Sequence, residues 1–306
     1  MPVVRARYGK SLWQRMKESK ESYILMAPYM LFFLVFTILP IVITIILSFT
    51  YFNMLQPPQW RGWLNYERLF LDDDVFLVAA RNTLVFGFIT GPLSYFICVL
   101  FAWFINDLRP RIRTFMTLLF YAPSISGNMY VIWSFIFSGD TYGLVNGFLL
   151  RFGFIREPVQ WFNDPRYNLT IIIIVQLWLS LGAGFLAFIA GLQSVDKNLY
   201  EAGTMDGIKN RWQELWYITL PSMVPQLMFG AVMQIIVSFT LSDVSMTLAG
   251  FPSTNYSAHT IPIHIIDYGM VRYEMGYASA IAVVLLLGMI LLNRVIFAFL
   301  RRLTHD

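Results

Sequence analysis

Six apolar stretches, each close to the length that crosses a bilayer, leave this chain few folds to choose from. They run about Ile24 to Thr50, Ala79 to Ile105, Phe115 to Phe137, Leu169 to Leu192, Ser222 to Leu241 and Tyr277 to Leu300. A hydrocarbon core ~30 Å thick takes ~20 helical residues to cross. Within it every backbone N–H and C=O must find a partner inside the protein, so segments of this kind fold as helices. The expected fold class is an all-α polytopic membrane protein with six transmembrane helices. Only 13% of the 306 residues are charged, against ~25% in soluble domains. One membrane domain, residues 24–306, therefore absorbs most of the chain.

Residues 1–23 stand apart. Leu12, Trp13 and Met16 lie among Arg5, Arg7, Lys10, Arg15, Lys17 and Lys20. This suits an amphipathic helix on the cytoplasmic membrane surface, held by lipid; a polybasic tail is the other reading. The first apolar run is too long for the core of a secretory signal, and no small-residue cleavage site follows it.

Inside the domain, the third and fifth segments are the least continuously apolar. Pro28, Pro40, Pro92 and Pro123 are expected to bend or interrupt helices. Gly87 with Gly91, and Gly182 with Gly184, allow helices to approach closely. Orientation follows from the basic residues. With both termini in the cytoplasm, 15 of the 22 lysines and arginines lie inside, in the N-terminal segment, Arg109 to Arg113, Lys197 to Arg211 and Arg294 to Arg302. The net charge of +4 thus reflects membrane sidedness and points to no nucleic-acid partner. The single cysteine, Cys98, sits in an apolar run and reads as a buried inert thiol.

One polar stretch interrupts the apolar pattern on the cytoplasmic side, at about 194–221. It reads Leu199-Tyr200-Glu201-Ala202-Gly203-Thr204-Met205-Asp206-Gly207 and continues through Trp212 and Trp216 to Ile218-Thr219-Leu220-Pro221. Leu199, Ala202 and Met205 share one helix face. Asp196 or Asn198 can cap the start, and Gly207 suits a left-handed stop. A second short helix is expected from about Lys209, with Trp212 and Trp216 at the lipid interface. Pro221 then suits the first turn of the next membrane helix.

These residues resemble the cytoplasmic "EAA" loop of the permeases of ATP-binding-cassette importers. The matching positions are Glu201, Ala202, Asp206, Gly207, Ile218, Leu220 and Pro221. Gly203 stands where alanine is usual, and the interval from Gly207 to Ile218 is one residue longer than the common form. In that family the loop docks on an ATPase subunit and transmits its closure, so the resemblance assigns ATPase coupling to Glu201, Ala202, Gly203, Asp206, Gly207, Ile218, Leu220 and Pro221. Asn65-Tyr66, Leu69-Phe70, Arg81-Asn82-Thr83-Leu84, Tyr142-Gly143-Leu144-Val145-Asn146 and Met275-Gly276-Tyr277-Ala278-Ser279-Ala280 are similar to further landmarks of carbohydrate permeases. The specific likeness is to the larger permease subunit of maltose-type importers. It implies a bacterial inner-membrane protein that pairs with a second permease subunit and two ATPase subunits. A carbohydrate, with oligosaccharide the first choice, arrives from an extracytoplasmic solute-binding protein. ATP and Mg would be held on the ATPase subunits, and no cofactor on this chain.

The chain lacks the motifs of catalysis: no phosphate loop, no His-Glu-x-x-His and no Gly-x-Ser-x-Gly occurs. His259 and His264 lie in a loop with Pro262 between them and read as polar loop residues rather than metal ligands. Asn168 and Asn255 begin glycosylation sequons of a kind common by chance. Polar residues within the membrane segments are the binding candidates. Gln176 and Ser180 share a helix face that Ala183 continues, and Gln234 and Ser238 share another beside Val237. Counted outward from the loop, all six resemble sugar-lining positions; Ala183 replaces an aromatic there. Hydrogen bonding between helices explains the same polar residues as well. Tyr121, Ser124, Ser126 and Asn128 surround Pro123 and join the candidates, as does Asp243 near an outer helix end. The aromatic outer loops suit a partner protein or plain interfacial anchoring. An ion-coupled secondary transporter and an importer of glycerol phosphate are the competing readings. The first is expected to carry intramembrane ionisable groups, and the second a cationic pocket.

Overall fold

The computed structural model describes residues 19–305, so the expected surface helix of residues 1–23 lies almost wholly outside them. Among the described residues the regular structure is all helical but for one two-residue pairing, β1 (Thr50–Tyr51) with β2 (Gln59–Trp60). Among the described residues, five helical spans are long and apolar enough to cross a membrane. They are α1 (Lys20–Leu47), α2 (Asp74–Asn106), the pair α6 (Asn168–Leu179) and α7 (Ala183–Ser194), the pair α10 (Val224–Phe239) and α11 (Asp243–Ala249), and α13 (Met275–His305).

The expected third span is not a single helix. It divides into α3 (Pro110–Ile125) and α4 (Val131–Ile136). Gly127 between them takes φ +58°, a left-handed conformation that ends a helix, and Pro123 has already removed one hydrogen bond from the last turn. Pro92 leaves α2 continuous. The chain widens into a π turn, Leu34–Ile38, just before Pro40, where the missing proline N–H frees the upstream carbonyls.

α2, α7 and α10 pack together at the centre, and small residues set their spacing. A Cβ on Gly87 of α2 would run into the Phe239 ring, and one on Gly230 of α10 into the Phe188 ring of α7. Water offers no hydrophobic drive between helices in lipid, so this close packing supplies the cohesion. At the half nearer the polar stretch 194–221, Cys98, Ala102, Phe185, Phe188, Leu215 and Met223 form a buried cluster. At the opposite end the helix N-termini are tied by loops. Asn65 Nδ2 donates to the carbonyls of Ser48 and Thr50. Asn82 Nδ2 donates to those of Tyr256 and His259. Asn146, fully buried, places its amide among the carbonyls of Ser138, Asp140 and Val159. Gly276 lets α13 abut the Thr50 carbonyl, which a Cβ would strike. The sequence landmarks at Asn65, Asn82, Asn146 and Gly276 are thus the staples of this end.

Candidate functional site

A cavity of about 450 Å³ opens where two of the membrane segments are discontinuous. The apolar run from Leu169 to Leu192 hides a break. α6 ends at Leu179, Gly182 takes an extended conformation (φ −104°, ψ −138°), and α7 begins at Ala183. The segment from Ser222 breaks likewise at Thr240–Ser242, between α10 and α11. Backbone groups freed in a membrane must find partners, and the Ser180 carbonyl finds two. Gln234 Nε2 donates to it at 3.1 Å and Cys98 Sγ at 3.4 Å. The rest of the Gln234 amide is also engaged: Nε2 lies 3.1 Å from Cys98 Sγ, and Oε1 accepts from Ser94 Oγ at 3.1 Å.

Gln176, Ser180, Ala183, Gln234 and Val237 all line this cavity, so the structure brings five of the six proposed pocket residues together. Their situations differ. Gln176 has no hydrogen-bond partner for its amide among the described residues, and its amide is open to the cavity. Gln234 is committed to holding the broken helix, as the interhelical alternative has it. Ser180 Oγ donates back to the Leu177 carbonyl at 2.6 Å. Ser238 lies outside the lining, buried against Gly91 of α2. From the Pro123 region Tyr121 and Ser124 join the wall, whereas Ser126 and Asn128 do not. Asp243, the first residue of α11, joins it too. The break after Ser180 was not visible in the sequence because hydropathy runs straight through it, with Gly182 between Ser180 and Gly184 its one signal; the second break falls at the expected end of the fifth segment, Leu241.

The polar stretch folds as two short helices, α8 (Lys197–Met205) and α9 (Arg211–Glu214), with a break at Gly207. Asp196 caps α8 by accepting from the Asn198 N–H, and Gly207 takes φ +94°. Asn210 caps α9 by accepting from the Gln213 N–H. Leu215–Thr219 forms a π turn, which holds one more residue than an α turn. Pro221 sits in a separate helical turn, Leu220–Ser222; Pro225 occupies the first turn of α10 instead. Gly203 is buried under Ile218, where a Cβ would come within 2.6 Å of its terminal methyl. Glu201, Ala202 and Asp206 are exposed, as are Leu199 and Met205. Glu201 lies past the first turn of α8, where the helix dipole acts only weakly. Tyr200 OH meets Thr219 Oγ1 at 2.9 Å, Arg211 pairs with Asp107, and Trp103 packs on Trp212 at 4.9 Å. These contacts fix the loop to the bundle while its outer face stays bare.

His259 and His264 lie between the membrane spans and bond to each other. His264 Nε2 reaches Asp73 Oδ2 at 3.0 Å, and Tyr277 OH donates to the same oxygen at 2.7 Å. A carboxylate only accepts, so His264 carries its proton on Nε2. Its Nδ1 then accepts from His259 Nε2–H at 3.1 Å. Burial pushes His259 down to about 4, aided by its neighbour His264. Burial also lowers His264, against the pull of Asp73. Burial raises Asp73, but hydrogen bonds from Tyr277, the Phe76 N–H and His264 outweigh it and hold the carboxyl below its ordinary value.

Broken helices around a polar mid-bundle cavity, with an exposed polar helix pair at one end, define a membrane transport component rather than an enzyme. Residues 99–305 match the family described as "Binding-protein-dependent transport system inner membrane component", and the chain belongs to that family, the permeases of ATP-binding-cassette importers. The arabinooligosaccharides transport system permease protein AraP of Bacillus subtilis is 30% identical over 290 residues, 93% of this chain and 90% of its own. The probable ABC transporter permease protein YesP of the same organism is 29% identical over 92% of this chain and 90% of its own. The lactose transport system permease protein LacF of Rhizobium radiobacter is 26% identical over 89% and 91%. Among solved structures, a bacterial ABC transporter that imports the acidic polysaccharide alginate aligns with TM-score 0.76 and 24% identity, over 96% of this chain and 100% of its own. The same kind of importer has been seen in complex with its alginate pentasaccharide-bound periplasmic protein.

Proposed function

We propose that this permease carries an oligosaccharide through the cavity at the α6–α7 and α10–α11 breaks. The sugar is released into it by an extracytoplasmic binding protein. A second permease subunit supplies the facing wall, and two ATPase subunits drive the cycle, one of them docked on α8. Both termini then lie in the cytoplasm, on the side of the basic clusters.

The observation that carries this reading is the free amide of Gln176 in a cavity whose wall also offers the hydroxyls of Tyr121, Ser124, Thr240 and Ser242 and the Asp243 carboxylate. An amide offers both donors and an acceptor, as a polyhydroxylated neutral solute requires. The competing readings fit less well. Ion coupling calls for buried ionisable groups, and Asp243 is the one charged residue among the described residues of the lining. A phosphate ester calls for a cation, and that lining has no Lys, Arg or His.

The test is ATP hydrolysis by the purified importer, with its binding protein, across a panel of glycans. Stimulation by particular oligosaccharides is the expected result. Stimulation by glycerol phosphate alone, or uptake that follows a proton gradient without ATPase subunits, would reject the proposal.

A further inference from the structure

The solved neighbours import an acidic polysaccharide on the same fold, so the fold leaves the charge of the cargo open and the lining side chains must set it. We infer that Asp243 is a specificity residue that restricts the cavity to neutral oligosaccharides and turns away uronate-bearing ones, an inference that rests on the carbohydrate reading. Three observations support it. Asp243 lines the cavity and is exposed within it. None of the cavity's described lining residues is a Lys, Arg or His, so no cation there neutralises it. Its one hydrogen bond from a side chain comes from the adjacent Ser242, Oγ to Oδ1 at 3.1 Å, which leaves Oδ2 open.

A carboxylate is an acceptor alone. It can therefore receive sugar hydroxyls, whose protons it needs. A uronate in the same place brings a second carboxylate with no proton to share, and the two repel. The neighbouring Gln176 amide serves either sugar and does not discriminate. Sign, then, resides in Asp243 and general sugar affinity in Gln176.

The experiment uses the complete importer with its partner subunits and binding protein in proteoliposomes. Uptake is compared for a neutral oligosaccharide and for the same oligosaccharide ending in a uronate, in wild type and in Asp243→Asn. The binding protein is common to both, so its own preference cancels from the change in ratio. The expected uronate-to-neutral ratio rises in the variant by roughly fourfold, the factor for unit-charge repulsion at about 5 Å in water. A second readout needs no sugar. Ser124→Cys in a Cys98→Ser background places a thiol on the same wall. A cationic thiol reagent should modify it faster than an anionic one, and Asp243→Asn should remove the difference.

A uronate-to-neutral uptake ratio that Asp243→Asn leaves unchanged overturns the inference and leaves the carbohydrate reading intact. So does a thiol-reagent preference that Asp243→Asn does not change. Wild-type uptake of neither sugar overturns the carbohydrate reading, and the neutral-glycan restriction with it.

Discussion

Gln176 and Gln234 are the same residue type on the same cavity, yet they do different work. Gln234 is saturated by Ser180, Cys98 and Ser94, and Gln176 has nothing but the cavity before it. Gln176→Ala should therefore raise the substrate concentration needed for half-maximal uptake by the value of one hydrogen bond, ~0.5–1.5 kcal/mol or about twofold to thirteenfold, with thermal stability unchanged. Gln234→Ala should instead lower stability by ~1–3 kcal/mol, because it takes the acceptor from Ser94 Oγ and leaves the Ser180 carbonyl with only the weak Cys98 thiol donor. Uptake kinetics beside thermal unfolding in detergent separate the two, and a reversed pattern would exchange their roles. The sequence showed both as amides on helix faces, but could not show which was already partnered. The histidine pair carries a second prediction. His259 is pushed down to about 4 from an ordinary 6.5, so an opened loop binds a proton in that window that the closed loop refuses. Stability from this pair is present above pH 6.5 and is lost as the pH falls toward 4. Protonation at Nδ1 would create a buried N–H⁺ with no acceptor among the described residues. Asp73, Asp267, Tyr268, Tyr277 and Arg272 surround the pair. Hydrogen exchange across residues 254–267, corrected for its intrinsic rate, should lose protection by up to about tenfold per pH unit in that window. His259→Gln should flatten that dependence.

Among the elements, the α8–α9 pair shows most clearly what was legible in the chain. Its two helices, the Asp196 cap and the left-handed Gly207 follow from local backbone chemistry, and that chemistry is written residue by residue. The break after Ser180 and the division at Gly127 depend instead on what the freed backbone groups meet in three dimensions, and an apolar run carries no record of that. The bare face of α8, with Leu199, Ala202 and Met205 beside Glu201, is too polar to enter lipid and too apolar to be left to water. Gly207→Pro should remove coupled transport, since proline cannot take φ +94°. Glu201→Lys should weaken retention of the ATPase subunits without unfolding the chain, because its side chain is exposed and exposed charges contribute ~0–1 kcal/mol to stability. Pull-down of the ATPase subunits together with sugar-stimulated hydrolysis checks both. Normal copurification and normal coupling in both variants would remove α8 from the transmission.

Taken as one body, the molecule joins its two sites through a single helix pair. α7 runs from the cavity wall at Ala183 to Ser194, two residues before the Asp196 cap of α8. α10 returns from Val224 beside the loop to Gln234 and Val237 at the same cavity. Twelve helical residues cover ~18 Å, so a displacement at the loop reaches the cavity through rigid rods if the rods stay in register. Gly184 and Gly230 hold them in contact: a Cβ on Gly184 would lie 3.5 Å from the Gly230 Cα, and the Phe188 ring covers Gly230. Gly230→Ala should force α7 and α10 apart at the Phe188 ring and cost ~1–3 kcal/mol of packing. The loop stays folded through its own caps and the Tyr200–Thr219 contact, so the ATPase subunits should still be retained. Hydrolysis should persist but lose its response to loaded binding protein. Phe188→Leu in the same chain returns volume beside the new methyl and should restore part of that response, an outcome that general misfolding does not give. If Gly230→Ala alone leaves sugar-stimulated hydrolysis and uptake at wild-type levels, the two rods tolerate separation, and the signal between loop and cavity must travel through α2 instead.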